Sequence, residues 1–194
     1  MNTAIYVGSF DLLTWGHIDI IDQGVNLFER LIVMVANNAD KKHLFPLEDR
    51  QAALVECLNF GTYISDDGKR GIIFEPEESK RIEIITLDEK KDGYAVKHAQ
   101  NIGATHYIRG IRDARDYHFE DHIFQINNEI SHLRPVWLPA HPKLRHVSSS
   151  VVKSLIGPKG WERTIHQYVP PPVYHRLIAM FNGEVIQNLM GEKA

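Results

Sequence analysis

Short β-rich runs alternate with helix-period segments along most of this chain, and no other feature restricts its fold as much. The β-rich runs are Ala4–Val7, Leu31–Val35, Ile82–Thr86, His106–Arg109 and Val136–Pro139. Between and after them lie His17–Glu29, Leu47–Leu58, Tyr94–Ile102, Tyr117–His132 and Ser149–Leu155, each with apolar residues at helical spacing. In the first of these, Ile18, Ile21, Val25 and Phe28 mark a single buried face. Strands that alternate with helices form right-handed βαβ units on a parallel sheet. The expectation is a Rossmann-like, doubly wound α/β fold, one domain over 1–194 with C-terminal helices. At 194 residues the chain has room for one proper core. Residues 60–81 break the alternation. A turn signal at Ser65–Gly71 lies between two short apolar runs there, which predicts a hairpin insertion. The tract Glu75–Arg81 reads as solvated, and a helix is expected near Val173–Phe181.

Ligands on parallel sheets sit at the carboxyl ends of the strands. Two segments follow such ends: Gly8–His17 after the first run and Arg109-Gly110 after the fourth. In the first, a strand feeds a glycine-bearing turn and the turn feeds a helix. Helix starts present unpaired N–H groups and a positive dipole end, a natural phosphate site. Gly16 allows close backbone approach, and His17 adds a ring that can donate a hydrogen bond or a proton. Arg109 and Arg112 flank Gly110, and arginine's planar fork matches phosphate oxygens. Ser148, Ser149 and Ser150 open another helix, where one serine would suffice as a cap.

Composition narrows the class. A net charge of −3 argues against broad binding to nucleic acid or an anionic membrane. The single cysteine, Cys57, excludes an internal disulfide framework and reads as a buried thiol. No apolar run approaches the ~18 residues of a membrane helix, and no signal peptide is evident, so a cytoplasmic location is expected.

Four segments together carry a resemblance. They are Gly8-Ser9-Phe10-Asp11 with Thr14-Trp15-Gly16-His17; Lys41-Lys42 with Phe45; Ile108–Arg112 with Asp116-Tyr117 and Glu120; and Val147–Lys153. The chain resembles the bacterial phosphopantetheine adenylyltransferases of the nucleotidylyltransferase superfamily over about 4–59 and 93–181. The T-x-G-H form is shared across the superfamily, whereas the Arg-Gly-x-Arg segment with its downstream carboxylate is more specific. The resemblance implies adenylyl transfer from ATP to the 4′-phosphate of phosphopantetheine, giving dephospho-coenzyme A and pyrophosphate. It also implies magnesium, a homohexamer and feedback binding of coenzyme A, with no metal ligand assigned in the chain.

It further implies roles. His17, Lys41 and Arg109 match the catalytic positions. Ser9, Lys41, Tyr94, Arg109 and Asn127 fall at acceptor positions. Ser9, Phe10 (through its N–H), Thr14, His17, Gly110, Arg112, Glu120 and Ser148–Ser150 fall at ATP positions. Thr14 reads equally as a helix cap, and Asp11 as a turn stabiliser with a magnesium-side carboxylate as the alternative. Asp116 reads as the cap of the next helix, and Lys42 is easily mistaken for Lys41. The chain departs from the family at Asp92–Lys97, where an apolar segment is usual, and at Val7, Trp15 and Phe119. Rival readings are an adenylyltransferase for nicotinamide mononucleotide, a fragment of a class I aminoacyl-tRNA synthetase and a non-catalytic nucleotide-binding module.

Overall fold

The computed structural model describes residues 2–37, 42–59 and 74–191. The strands are β1 (Thr3–Gly8), β2 (Arg30–Asn37), β3 (Ile82–Asp88), β4 (His106–Ile111) and β5 (Arg134–Pro139). The helices are α1 (Trp15–Leu27), α2 (Leu47–Asn59), α3 (Pro76–Ser79), α4 (Glu89–Asp92), α5 (Ala95–Asn101), α6 (Ala114–Ile130), α7 (Ser149–Ser154), α8 (Trp161–Ile165) and α9 (Pro171–Gly191). The strands form one parallel sheet in the order β3-β2-β1-β4-β5. This is the Rossmann-like α/β fold expected from the alternation.

Burial explains the strand sequences. Leu31 to Val35 of β2 are all fully buried, because a central parallel strand is covered on both faces. One face packs Ala4, Tyr6, Val33, Val35 and Ile108 against α1, α2 and the C-terminal helices. The other packs Ile5, Ile32, Met34, Leu87 and Tyr107 against α5 and the inner side of α6. β3 lies at an edge and mixes buried Leu87 with partly exposed residues; its Glu83 pairs with Arg30 of β2. Cys57 is buried in the first core, and burial pushes its thiol up to about 12.

The sheet opens where a ligand site is expected. β1 and β2 stay in register for six residue pairs, from Thr3↔Arg30 to Gly8↔Val35. β1 and β4 pair only at Ala4↔His106 and Ile5↔Tyr107. Beyond those pairs the two strands separate, at the point where the strand order reverses direction. Such switch points hold the ligand crevice of open α/β sheets.

Three readings are corrected or limited. The expected hairpin lies, for residues 60–73, outside the described residues. The tract 75–81 is not simply solvated: Pro76–Ser79 form a helical turn, and Arg81 Nη1 donates to the carbonyls of Val25 (2.7 Å) and Phe28 (3.0 Å). It thereby caps the end of α1. Asp113, not Asp116, caps α6, accepting from the N–H groups of Arg115 and Asp116.

Candidate active site

A cavity of about 640 Å³ lies over the separated ends of β1 and β4. Its wall brings together Ser9, Thr14, His17, Arg109, Gly110, Arg112, Glu120 and all three serines Ser148–Ser150. These residues come from four separate stretches of chain. Phe10 lies beneath it, with its ring 2 % exposed in edge contact with Tyr6 and His17, both at 5.3 Å. Phe10 adopts φ +48°, and its ring would lie 3.1–3.3 Å from a Cβ on Gly8, so the turn closes tightly over it. Two acceptor-side residues do not line this cavity. Tyr94 stands 70 % exposed at the start of α5. Asn127 sits on α6 seven residues beyond Glu120, roughly 10 Å further along the helix axis. Lys41 lies outside the described residues, while its neighbour Lys42 lines the wall.

His17 is held in one tautomer. Its Nδ1 accepts the backbone N–H of Thr14 at 3.0 Å, with the Thr14 hydroxyl also at 3.0 Å. A nitrogen that accepts from an amide carries no proton, so the neutral ring bears its hydrogen on Nε2. Burial, with Arg112 and Arg109 nearby, pushes the imidazole down to about 4. At neutral pH His17 is therefore an uncharged hydrogen-bond donor rather than an acid. The Thr14–His17 pair makes a reciprocal start to α1, so Thr14 serves as the cap.

The arginines are oriented by carboxylates. Arg109 Nε donates to Glu120 at 2.8 Å, and Nη1 donates to the Val7 carbonyl at 2.5 Å. That carbonyl lies past the last β1–β4 residue pair, so Arg109 fills the gap between the strands. Arg112 makes a two-pronged contact with Asp116, from Nε (2.6 Å) and Nη2 (2.9 Å). Among the described residues, Arg109 Nη2 and Arg112 Nη1 make no hydrogen bond, which leaves each guanidinium one free fork tip for an anion.

Of the serines, Ser148 accepts the Val151 N–H as the cap of α7, and Ser149 donates to the Leu12 carbonyl at 2.7 Å. The exposed Ser150 stands at the rim. Asp11 is neither a local turn stabiliser nor an open carboxylate. It accepts from the N–H groups of Leu44 (2.9 Å) and Phe45 (3.1 Å) and from Lys153 Nζ (2.5 Å). Burial alone would raise its carboxyl, but these donors together hold it below the usual carboxylate range.

Gly110 has a packing reason of its own. A Cβ there would meet Ile20 Cγ1 at 2.7 Å and Cδ1 at 2.9 Å, and Ile20 is buried. Gly110→Ala is expected to cost about 1–3 kcal/mol through overpacking. A midpoint in urea equal to the wild type's would contradict that close approach.

One buried charge beside the site was not anticipated from the sequence. Arg50 of α2 is 1 % exposed beneath the turn. Its signal is its position: Arg50, Ala53, Leu54 and Cys57 share the i, i+3, i+4, i+7 stripe that α2 buries. A charged residue on a buried stripe has to find partners inside.

Comparison with known proteins places the chain in a family. Residues 5–154 match the cytidylyltransferase-like family model. The chain is 36% identical over 185 residues to a phosphopantetheine adenylyltransferase of Chromobacterium violaceum, covering 95% of this chain and 100% of that one. It is 34% identical over 186 residues to the enzyme of that name from Geotalea daltonii, covering 94% and 98%. Among solved structures, Plasmodium falciparum nicotinic acid mononucleotide adenylyltransferase complexed with NaAD superposes with a TM-score of 0.60 at 16% identity, covering 93% of this chain and 96% of that one. That likeness concerns the fold.

Proposed function

Since the chain belongs to the cytidylyltransferase-like family and, within it, to the phosphopantetheine adenylyltransferases, we propose that its cavity holds ATP and the acceptor phosphate on either side of His17. The reaction is adenylyl transfer from ATP to 4′-phosphopantetheine. An oxygen of the acceptor phosphate bonds to the α-phosphorus, the bond from that phosphorus to the bridging oxygen breaks, and pyrophosphate leaves. Dephospho-coenzyme A is the other product.

The nucleophile is already anionic, so the reaction needs charge compensation more than a base. The observation that carries the assignment is the fixed Nε2–H of His17, between the helix start and two carboxylate-oriented arginines. In our reading His17 donates to the α-phosphate as charge builds on it. The free nitrogen of Arg109 receives the acceptor phosphate, and that of Arg112 the ATP phosphates. Lys41, matched to the catalytic lysine by resemblance, supplies an ammonium, and Lys42, its neighbour in sequence, lines the cavity wall. The α7 serines, with the hydroxyls of Ser148 and Ser150 still able to donate, close over the triphosphate. Ser9 offers a hydroxyl to the acceptor, and Phe119, 63 % exposed at the rim, offers a face for adenine. Tyr94 and Asn127 are proposed for the pantetheine arm, which extends away from the reacting phosphates.

Magnesium fits as a companion of ATP. Asp11, Glu120 and Asp116 are already engaged by cations or N–H groups, so the ion would be held chiefly by the nucleotide's phosphates and water. When bound, it neutralises phosphate charge. A homohexamer is in keeping with α6, a helix of 17 residues with none buried and with Tyr117 and Ile126 exposed. Coenzyme A differs from the product by one phosphate, which makes it a reasonable feedback ligand for the acceptor side. A cytoplasmic place is part of the same reading; among the described residues no helix is long and apolar enough to cross a membrane.

The route is tested with ATP labelled at its α-phosphate. Label recovered in dephospho-coenzyme A supports the reading, and label that stays in AMP or ADP refutes it.

A further inference from the structure

Two buried charges of opposite sign hold both ends of the connection between β2 and α2. Arg50 donates to four oxygens: Nε to the Phe45 carbonyl (3.0 Å), Nη1 to the carbonyls of Ser9 (2.7 Å) and Ala36 (3.1 Å), and Nη2 to the Asn37 side chain (2.8 Å). Ala36 and Asn37 end β2, Phe45 precedes α2, and Ser9 belongs to the turn after β1. Asp11, 4 % exposed, takes the N–H groups of Leu44 and Phe45 from the other side. The Phe45 residue is therefore gripped twice, at its N–H by Asp11 and at its carbonyl by Arg50. Lys42, on the cavity wall, lies two residues before this grip.

Among the described residues no carboxylate hydrogen-bonds to Arg50: its four acceptors are neutral, and Asp11 and Glu48 act on it only through their charge. A leucine on the same stripe would fill the core without desolvating a charge, so packing alone does not account for an arginine here. What the guanidinium adds is a common anchor for three segments that meet around the reacting phosphates. Asp11 adds a fourth, because its other contact is Lys153 of α7, the helix that begins with the serines.

We propose that Asp11 and Arg50 are positioning residues for adenylyl transfer, holding the Lys42 segment against the Ser9–Asp11 turn so that the groups on both meet the phosphates in one geometry, a role that rests on the phosphopantetheine adenylyltransferase reading. Asp11 reaches the cavity wall, but its carboxylate is already held by Leu44, Phe45 and Lys153, and Arg50 lies behind the wall. Asp11 does not act through a metal, since its oxygens are taken by three donors.

Asp11→Asn keeps the size, removes the charge and turns one accepting oxygen into an amide donor. It is expected to lower kcat about 100-fold, the scale of an ångström-level misplacement, while KM for ATP changes only a few-fold. Trypsin is expected to cut after Lys42 about 10-fold faster, as opening of the gripped segment becomes easier. Arg50→Lys keeps the charge but cannot span the four oxygens, and it is expected to move both readouts in the same direction. Glu56→Gln is the control for stability alone. It breaks the two-pronged α2–α9 pair with Arg176 (2.7 Å each), away from the cavity. If Asp11→Asn lowers kcat no more than Glu56→Gln at a matched loss of thermal stability, the pair is merely structural and the proposal fails. If Asp11→Asn does not fold, Arg50→Lys decides by the same criteria. Should the wild type release no pyrophosphate with phosphopantetheine, the functional reading fails instead, and with it the catalytic role. The trypsin result still tells whether the grip on Lys42 exists.

Discussion

His17→Ala is expected to lower kcat by about 10²–10³-fold, the scale of losing one preorganised donor to a transition-state oxyanion. The expectation follows from the tautomer. Thr14 N–H occupies Nδ1, so the only ring hydrogen of the neutral form is on Nε2, beside the cavity. Alanine removes that donor together with half of the reciprocal helix start and the ring packing on Phe10. The lost acceptor for Thr14 N–H costs about 1 kcal/mol, and a thermal melt separates the total folding cost from the loss of kcat. KM for ATP should move little, because the bond strengthens only as charge builds. Steady-state kinetics with ATP in excess gives the answer, and a mutant with near-normal kcat would remove His17 from the mechanism.

The same residue sets a pH dependence. Burial, with help from Arg112 and Arg109, takes the folded-state value of His17 to about 4 from the ordinary 6.5. Between those values the unfolded chain binds the proton and the folded chain does not. Stability therefore falls as pH drops from 6.5 towards 4. In His17→Ala this contribution disappears, and the stability curve over that window is expected to be flatter. A mechanism that needed imidazolium would speed up below pH 6.5; none is expected here.

Arg109→Ala is expected to act on the acceptor. The guanidinium is braced at Nε by Glu120 and at Nη1 by the Val7 carbonyl, which leaves Nη2 for a phosphate. Losing one charge-assisted contact of about 1.5–3 kcal/mol raises KM for phosphopantetheine roughly 10- to 100-fold. KM for ATP should change less, because Arg112 and α7 keep their own partners. Arg109→Lys restores charge but cannot brace in two directions while reaching a third, so it should recover only part of the loss. An unchanged KM for acceptor in Arg109→Ala would contradict the assigned role.

Much of this fold could be read from periodicity alone. All five strands lie where β-rich runs end in turns, and central β2 is as apolar as a strand covered on both faces must be. Boundaries drifted where polar residues cap the elements: α6 starts at Ala114 because Asp113 caps it, three residues before the apolar pattern begins. The cavity was legible as two strand ends, because a parallel sheet brings carboxyl ends to one side. Its finer structure was not. Nothing local in the sequence says that β1 and β4 part after Ile5 and Tyr107, or that Arg109 bridges the gap. Nor does it say that Asp11 reaches thirty-odd residues ahead to Leu44 and Phe45, since a carboxylate in a turn looks the same whichever partner it finds. Arg50 could have been noticed as a charge on a buried stripe, but its four acceptors come together only through tertiary contacts.

The claim that this cavity joins ATP to phosphopantetheine is tested most directly by pyrophosphate release with competing acceptors. Purified protein, ATP and magnesium would be supplied with phosphopantetheine, nicotinamide mononucleotide or nicotinate mononucleotide at matched concentrations. Release that depends on phosphopantetheine and is negligible with either mononucleotide is the predicted result. Faster release with a mononucleotide, or none with any acceptor, would contradict it.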